Sequence, residues 1–146
     1  MGYPFPSEAW LDALMKVLNE DRRYAEVASN WEGDITVVIE PGLDGETDGL
    51  PIAKYLDLWH GSCRSVQFLD PSTETLPHAA FTLRATLDNI FKIFTGDLDP
   101  IQAMLTRRLK VDGNMAYILR NVPTVLEFVR CARLVEIDRG EAVEGS

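Results

Sequence analysis

A chain of 146 residues, 46% of them hydrophobic, has the length of one domain and enough apolar material for a single core. Its net charge of −9 argues against nucleic acid as a partner, because such binding rests on Lys and Arg neutralising phosphates. No apolar run nears the ~20 residues of a membrane span, and the first ten residues carry neither the basic nor the apolar region of an export signal.

In chain order, Ser7 is a suitable N-cap, and Trp10, Leu11, Leu14, Met15 and Leu18 follow it at helical spacing. A second helical piece over residues 24–31 repeats the pattern with Tyr24, Val27, Ala28 and Trp31, and ends at Glu32-Gly33-Asp34. The β-branched residues of 35–40 predict a strand. A Gly- and Asp-rich loop over 41–51 leads to a second strand, 52–60. There Ile52, Lys54, Leu56 and Leu58 share one face, and Ala53, Tyr55, Asp57 and Trp59 the other. Gly61-Ser62 turns the chain into a third strand over 63–69, which completes an antiparallel meander.

After a polar loop over 70–77, a fourth strand over 79–86 runs directly into a helix over 87–94 closed by Gly96. Leu87, Ile90, Phe91 and Phe94 form its apolar stripe. Asp99 caps a further helix, with Pro100 at its first position and Gln102 placed as in a capping box. Residues 110–119 read as a fifth strand interrupted by Asp112-Gly113-Asn114. Asn121 then caps a last helix with Val122, Val125, Leu126, Val129 and Ala132 on one face. Strands and helices do not alternate strictly, so the fold class is α+β, a sheet of about five strands covered by helices.

Few residues point to chemistry. His60 and His78 have no second His or Cys at metal-ligand spacing. Asp44, Glu46, Asp48 and Gly49 resemble the first half of a calcium loop, but Tyr55 stands where a bidentate Glu is needed. Asp97 and Asp99 are a candidate carboxylate pair, although a helix cap already accounts for Asp99. Trp59-His60-Gly61 fits a strand end before a turn as well as a catalytic His. Cys63 and Cys131 read as free thiols in a reducing compartment, with a disulfide as the alternative. Residues 107–133 carry six basic side chains against two acidic ones. That segment is either a solvated face or a site for an anionic head group.

Residues 96–121, GDLDPIQAMLTRRLKVDGNMAYILRN, carry a resemblance. An acidic, Pro-containing helix start is followed by an apolar helix, Leu109, and the core Lys110, Gly113, Asn114 and Met115. This resembles the signature of the sterol carrier protein type 2 family, and the flanking elements fit it from about residue 24 onward. Arg107-Arg108 replace the family's usual Gly-Lys, giving a bulkier and more basic turn. The chain ends Glu144-Gly145-Ser146 and not in a peroxisomal Ser-Lys-Leu signal.

The resemblance implies a curved mixed sheet with helices packed over one face, enclosing an apolar tunnel. It also implies one lipid-binding domain over 1–146, with flexible ends at 1–6 and 138–146. The expected protein is a cytoplasmic, prokaryotic-like and non-catalytic carrier with no cofactor. It would bind a fatty acid, acyl-CoA, sterol or phospholipid, with no nucleic acid, no membrane span and at most transient membrane contact. The candidate lipid-binding side chains are Phe81, Leu83, Ile90, Phe91, Phe94, Ile101, Met104, Leu105, Met115, Tyr117, Leu119, Val125, Leu126 and Val129. Arg107, Arg108 and Arg120 are candidates for the head group. The same apolar residues equally suit a filled core, because a cavity and a core need the same side-chain types. A regulatory or partner-binding domain that keeps the fold without lipid is the alternative.

Overall fold

The structure, a computed structural model, describes residues 3–4, 7–40, 52–70, 78–135 and 137–138. Strand β1 (Tyr3–Pro4) precedes helix α1 (Glu8–Glu20), which starts where Ser7 Oγ accepts from the Trp10 N–H at 3.1 Å. Trp10, Leu11, Leu14 and Leu18 form its buried stripe. Asp21 closes α1 and opens α2 (Arg22–Val27), its carboxylate accepting from the Tyr24 N–H at 2.8 Å. That cap fixes the break between the two helices, and α2 ends at Val27, short of the Trp31 that the apolar pattern reaches.

The central sheet holds β2 (Ile35–Glu40), β3 (Ile52–Trp59), β4 (Ser62–Leu69), β5 (Phe81–Thr86) and β6 (Lys110–Asp112), in the order β4-β3-β2-β5-β6. β2, β3 and β4 are the expected antiparallel meander, while β5 pairs parallel to β2 and makes the sheet mixed. At the β3–β4 turn, Gly61 has φ 82°, and a Cβ there would meet the Ala25 carbonyl oxygen at 2.5 Å. Only glycine lets α2 approach the hairpin so closely.

β5 passes straight into α3 (Leu87–Thr95), capped by Thr86 Oγ1 accepting from the Asn89 N–H at 3.3 Å and ended by left-handed Gly96. Asp99 caps α4 (Pro100–Leu105) by accepting from the Ile101 and Gln102 N–H groups at 2.9 and 3.0 Å. Pairing as a strand then lasts only three residues, Lys110–Asp112. The expected strand over 110–119 is therefore corrected: Met115–Arg120 is a helix, α5. Gly113 turns the chain with φ 146°, and the Asn114 side chain accepts from the Tyr117 N–H at 3.1 Å. Alternation of Met115, Tyr117 and Leu119 suits a strand. Over six residues the helical spacing of Met115 and Ile118 fits equally well, and the cap decides.

Helix α6 (Val122–Leu134) follows, with Pro123 in its first turn. Asn121 does not cap it with its side chain. Its amide donates instead to the Tyr117 carbonyl at 2.8 Å, closing α5. The inner stripe of α6 runs through Val125, Phe128, Val129 and Ala132, at i, i+3, i+4 and i+7. Leu126 lies one residue off this stripe and is 43% exposed, which corrects its assignment to the apolar face. β7 (Ile137–Asp138) pairs in parallel with β1. Most of the expected loops and flexible ends, and the calcium-like sequence at 44–49, lie outside the described residues.

Two apolar clusters fill the space between sheet and helices. One gathers α1, Tyr24, Trp31, Leu56, Leu58 and Phe81; the other gathers Ile39, α3, α4 and Val129. Half-buried Val37, Phe94, Met104 and Phe128 touch both. Val38, Ala53 and Leu69 form a separate small cluster, with the strand residues that alternate away from the helices.

Candidate functional site

Where the two clusters meet, a cavity of about 120 Å³ remains. The sheet contributes Ile35, Val37 and Ile39 from β2, Lys54, Leu56 and Leu58 from β3, and Phe81 and Leu83 from β5. Opposite them stand Trp10, Leu11 and Leu14 of α1, Tyr24 of α2 and Trp31. Ile90, Ile93 and Phe94 of α3 and Pro100 and Met104 of α4 continue that side. Leu109, Ile118 and the α6 residues Thr124, Val125, Phe128 and Val129 complete the lining. The strand alternation that puts Ile35, Val37 and Ile39 on one side of β2 aims all three at this space.

Of the candidate lipid-binding residues, Phe81, Leu83, Ile90, Phe94, Met104, Val125 and Val129 line the cavity. Phe91, Ile101, Met115 and Tyr117 are half-buried outside the lining. Tyr117 is a structural tie: its hydroxyl accepts from the Glu32 N–H at 3.0 Å, and its ring packs on Trp31 and Phe81 at 5.1 and 6.0 Å. Leu105, Leu119 and Leu126 face outward, at 60, 45 and 43% exposure. For Leu119 and Leu126 the outward setting follows from helix rotation, α5 burying Ile118 and α6 burying Val129 in their place.

Sequence reasoning passed over Trp10, Leu11, Leu14, Tyr24, Trp31 and the β2–β3 face. The signal was present for the strands, since Lys54, Leu56 and Leu58 already fell on one face. What could not be read is that α1 and α2 pack on the same side of the sheet as α3, α4 and α6.

The basic segment divides by role. Arg130 donates to Asp21 and Glu127, both at 2.7 Å, and Arg23 reaches Glu127 at 3.1 Å. This network ties α6 to the α1–α2 junction, and hydrogen bonding to Arg130 holds the Asp21 carboxyl below its ordinary range. Arg133 donates to the Phe94 and Ile93 carbonyls at 2.9 and 3.1 Å, satisfying the end of α3. Arg107, Arg108 and Arg120 are exposed and outside the lining.

Lys54 is the one charged side chain among the lining residues. It is 3% exposed, with Nζ 4.4 Å from the centre of the Trp10 ring. Burial drives its ammonium well below the usual lysine range. Burial also pushes the Cys63 thiol up to about 12 and the Cys131 thiol up to about 11, so neither forms a thiolate near neutral pH. His60 lies at the surface, 2.6 Å from Glu32 and stacked on Trp59. Asp97 accepts from Thr95 Oγ1 at 3.1 Å, while Asp99 serves as the α4 cap. Among the described residues, no group of three His, Cys, Asp or Glu side chains is placed to hold a metal ion. No helix among them is long and apolar enough to cross a membrane.

Comparison with known proteins agrees with this architecture. A crystal structure of sterol carrier protein 2 superposes with a TM-score of 0.79 at 30% identity, covering 89% of this chain and 98% of that one. The solution structure of a Thermus thermophilus protein, described as possibly a sterol carrier protein, gives 0.81 at 29% identity, covering 94% and 93%. The apo sterol carrier protein 2 of Yarrowia lipolytica gives 0.57 at 18% identity over 88% and 93%, a likeness of fold. No curated protein sequence matches the chain. The sequence model of the SCP-2 sterol transfer family matches residues 11–125. By that match, which spans most of the residues that line the cavity, the chain belongs to the SCP-2 sterol transfer family.

Proposed function

We propose that the protein binds, and passes between sites, a lipid whose apolar chain occupies the cavity between sheet and helices. The observation that carries this reading is the continuous apolar lining contributed by both core clusters. Fatty acids, fatty acyl-CoA, sterols and phospholipids all present the required apolar portion. The role is that of a non-catalytic carrier in one domain. Two buried free thiols suit the reducing conditions of the cytoplasm.

Apolar contact supplies enough energy for the task. At ~0.8 kcal/mol for each methylene buried, a chain of about sixteen carbons gains about 12 kcal/mol before costs. Association and ordering take back on the order of 4 kcal/mol or more, leaving an affinity near the micromolar range. The cavity of about 120 Å³ is smaller than the roughly 300–1,000 Å³ of ordinary ligand pockets. A long chain therefore enters by displacing side chains, for which half-buried Met104, Phe94 and Phe128 are suited.

Mass spectrometry of an organic extract of the purified protein, paired with displacement of a fluorescent fatty acid, tests the reading. A stoichiometric lipid or saturable displacement is expected. Neither being seen would favour the alternative, a regulatory domain that retains the fold with its cavity closed, a reading to which the small volume gives some support.

A further inference from the structure

We infer that the turn joining α4 to β6, residues 105–110 together with Arg84 on the facing strand, docks the protein on a bilayer of anionic phospholipid. The inference rests on the lipid reading above and adds to it the surface at which lipid is exchanged.

Residues 105–110, Leu-Thr-Arg-Arg-Leu-Lys, hold three cations and no acid in a chain whose net charge is −9. Leu105 ends α4 at 60% exposure, the most exposed of the large apolar side chains described. Arg107, Arg108 and Lys110 are exposed as well. Lys110 pairs directly with Arg84, itself exposed, so two like charges stand side by side on one face of the sheet. Among the described residues none of these four cations has an ion pair, whereas Arg23, Arg64, Lys92 and Arg130 each meet a carboxylate. Of the acids on the neighbouring elements, Asp112 lies across from Thr82, and Asp88 is held by Lys92 at 3.1 Å.

The turn is fixed in place. The Leu109 N–H donates to the Ala103 carbonyl at 3.0 Å, and the Asn89 amide donates to the Arg108 carbonyl at 3.3 Å. Arg107 has φ 65°, in the left-handed region that glycine occupies without strain. Protection of the sheet edge accounts for Lys110 on the outermost strand. It does not account for a leucine held in water or an arginine at a glycine-like position. A bilayer accounts for all of them: its phosphates neutralise the cations, and the hydrocarbon beneath takes up Leu105. The acidic remainder of the chain is repelled by the same surface, so the patch also sets the orientation. Met104 and Leu109, on either side of Leu105–Arg108 in the chain, both line the cavity. Docking of this turn therefore sets the bilayer beside the α4 end of the cavity.

Sedimentation of the full chain with vesicles of phosphatidylcholine, with and without added phosphatidylglycerol, tests the assignment. Wild type is expected to bind the anionic vesicles at least about tenfold more tightly than the neutral ones, with the ratio shrinking as salt is raised. Arg107→Gly combined with Arg108→Gln should lower affinity for the anionic vesicles about tenfold or more. Glycine suits the left-handed position, so this variant keeps the turn. Leu105→Gln should lower that affinity about threefold or more. Lys16→Gln combined with Arg22→Gln removes the same charge from exposed positions on α1 and α2, and should leave binding within about twofold of wild type. Equal wild-type affinity for the two vesicles, or equal losses in the two charge-removing pairs, overturns the docking surface. Retention of wild type on immobilised poly-glutamate with no vesicle binding assigns the patch to an acidic protein and also overturns it. Displacement of a fluorescent fatty acid without vesicles reads the lipid proposal separately, and should be the same in wild type and all variants. Vesicle binding without such displacement overturns the lipid reading and leaves the docking surface standing.

Discussion

The wall of the cavity built from α1, Tyr24 and β3 differs from the wall built by α4 and α6. On the first, Trp10, Leu11, Leu14, Tyr24 and Leu56 are each 1–2% exposed, locked by their neighbours. On the second, Met104, Val125 and Phe128 are half-buried and pack against the core from its edge. A fixed wall and a yielding wall enclose the same small space. Enlargement for a ligand therefore falls to the second, where fewer contacts must be broken and an unbranched thioether can change rotamer. The fixed wall also carries Lys54, the one charged side chain among the lining residues.

The largest expected effect belongs to the fixed wall. Trp10→Ala should lower stability by about 3–5 kcal/mol in urea unfolding, because the void there cannot collapse. A loss under about 1 kcal/mol would erase the distinction between the walls. Met104→Ala, by contrast, should cost about 1–2 kcal/mol, at or below the lower end for such truncations, since its half-buried neighbours can close in. Equal losses in the two variants would break the comparison.

Smaller effects sharpen it. Arg130→Met cuts the tie from α6 to the fixed wall and should cost about 1 kcal/mol at pH 7, a figure reduced for a partly exposed group. The sign of its pH dependence follows from Asp21, whose folded carboxyl is held below its ordinary range. Stability from this pair is present above about pH 4 and lost as pH falls through the lowered value. The gap between wild type and Arg130→Met should therefore narrow below about pH 4 in acid titrations of unfolding. Leu126→Arg should stay within about 0.5 kcal/mol of wild type and leave lipid binding unchanged, since Leu126 points outward. Val125→Arg, one residue away and facing the cavity, should abolish binding. If Leu126→Arg abolishes binding instead, the rotation assigned to α6 is wrong.

Capping and turn chemistry were the most legible parts of the sequence. Ser7, Asp99 and Gly96 each announced a boundary that local hydrogen bonds or backbone conformation fix in the structure. The β2–β3–β4 meander was legible because alternation and short turns are local signals. Residues 115–120 misled because Met115, Tyr117 and Leu119 satisfy two periods at once, and only the Asn114 cap breaks the tie. Leu126 misled for a related reason: an apolar helix face is wider than the stripe that tertiary packing selects. The site was harder to see than the fold. Leu83, Met104 and Val125 could be placed from their elements' patterns, whereas Trp10 and Tyr24 line the cavity only because α1 and α2 pack on the same side of the sheet as the other helices. Contacts between segments that far apart in sequence leave no local pattern to read.

The central claim is that a lipid chain lies among Ile90, Met104, Val125 and Val129. Intermolecular NOEs between carbon-13-labelled palmitate and methyl groups of the protein test it most directly. The account predicts NOEs from the chain to Ile90, Met104, Val125 and Val129, with none to Leu105, Leu119 or Leu126. NOEs confined to the three exposed leucines, with the four lining methyl-bearing residues silent, would contradict it.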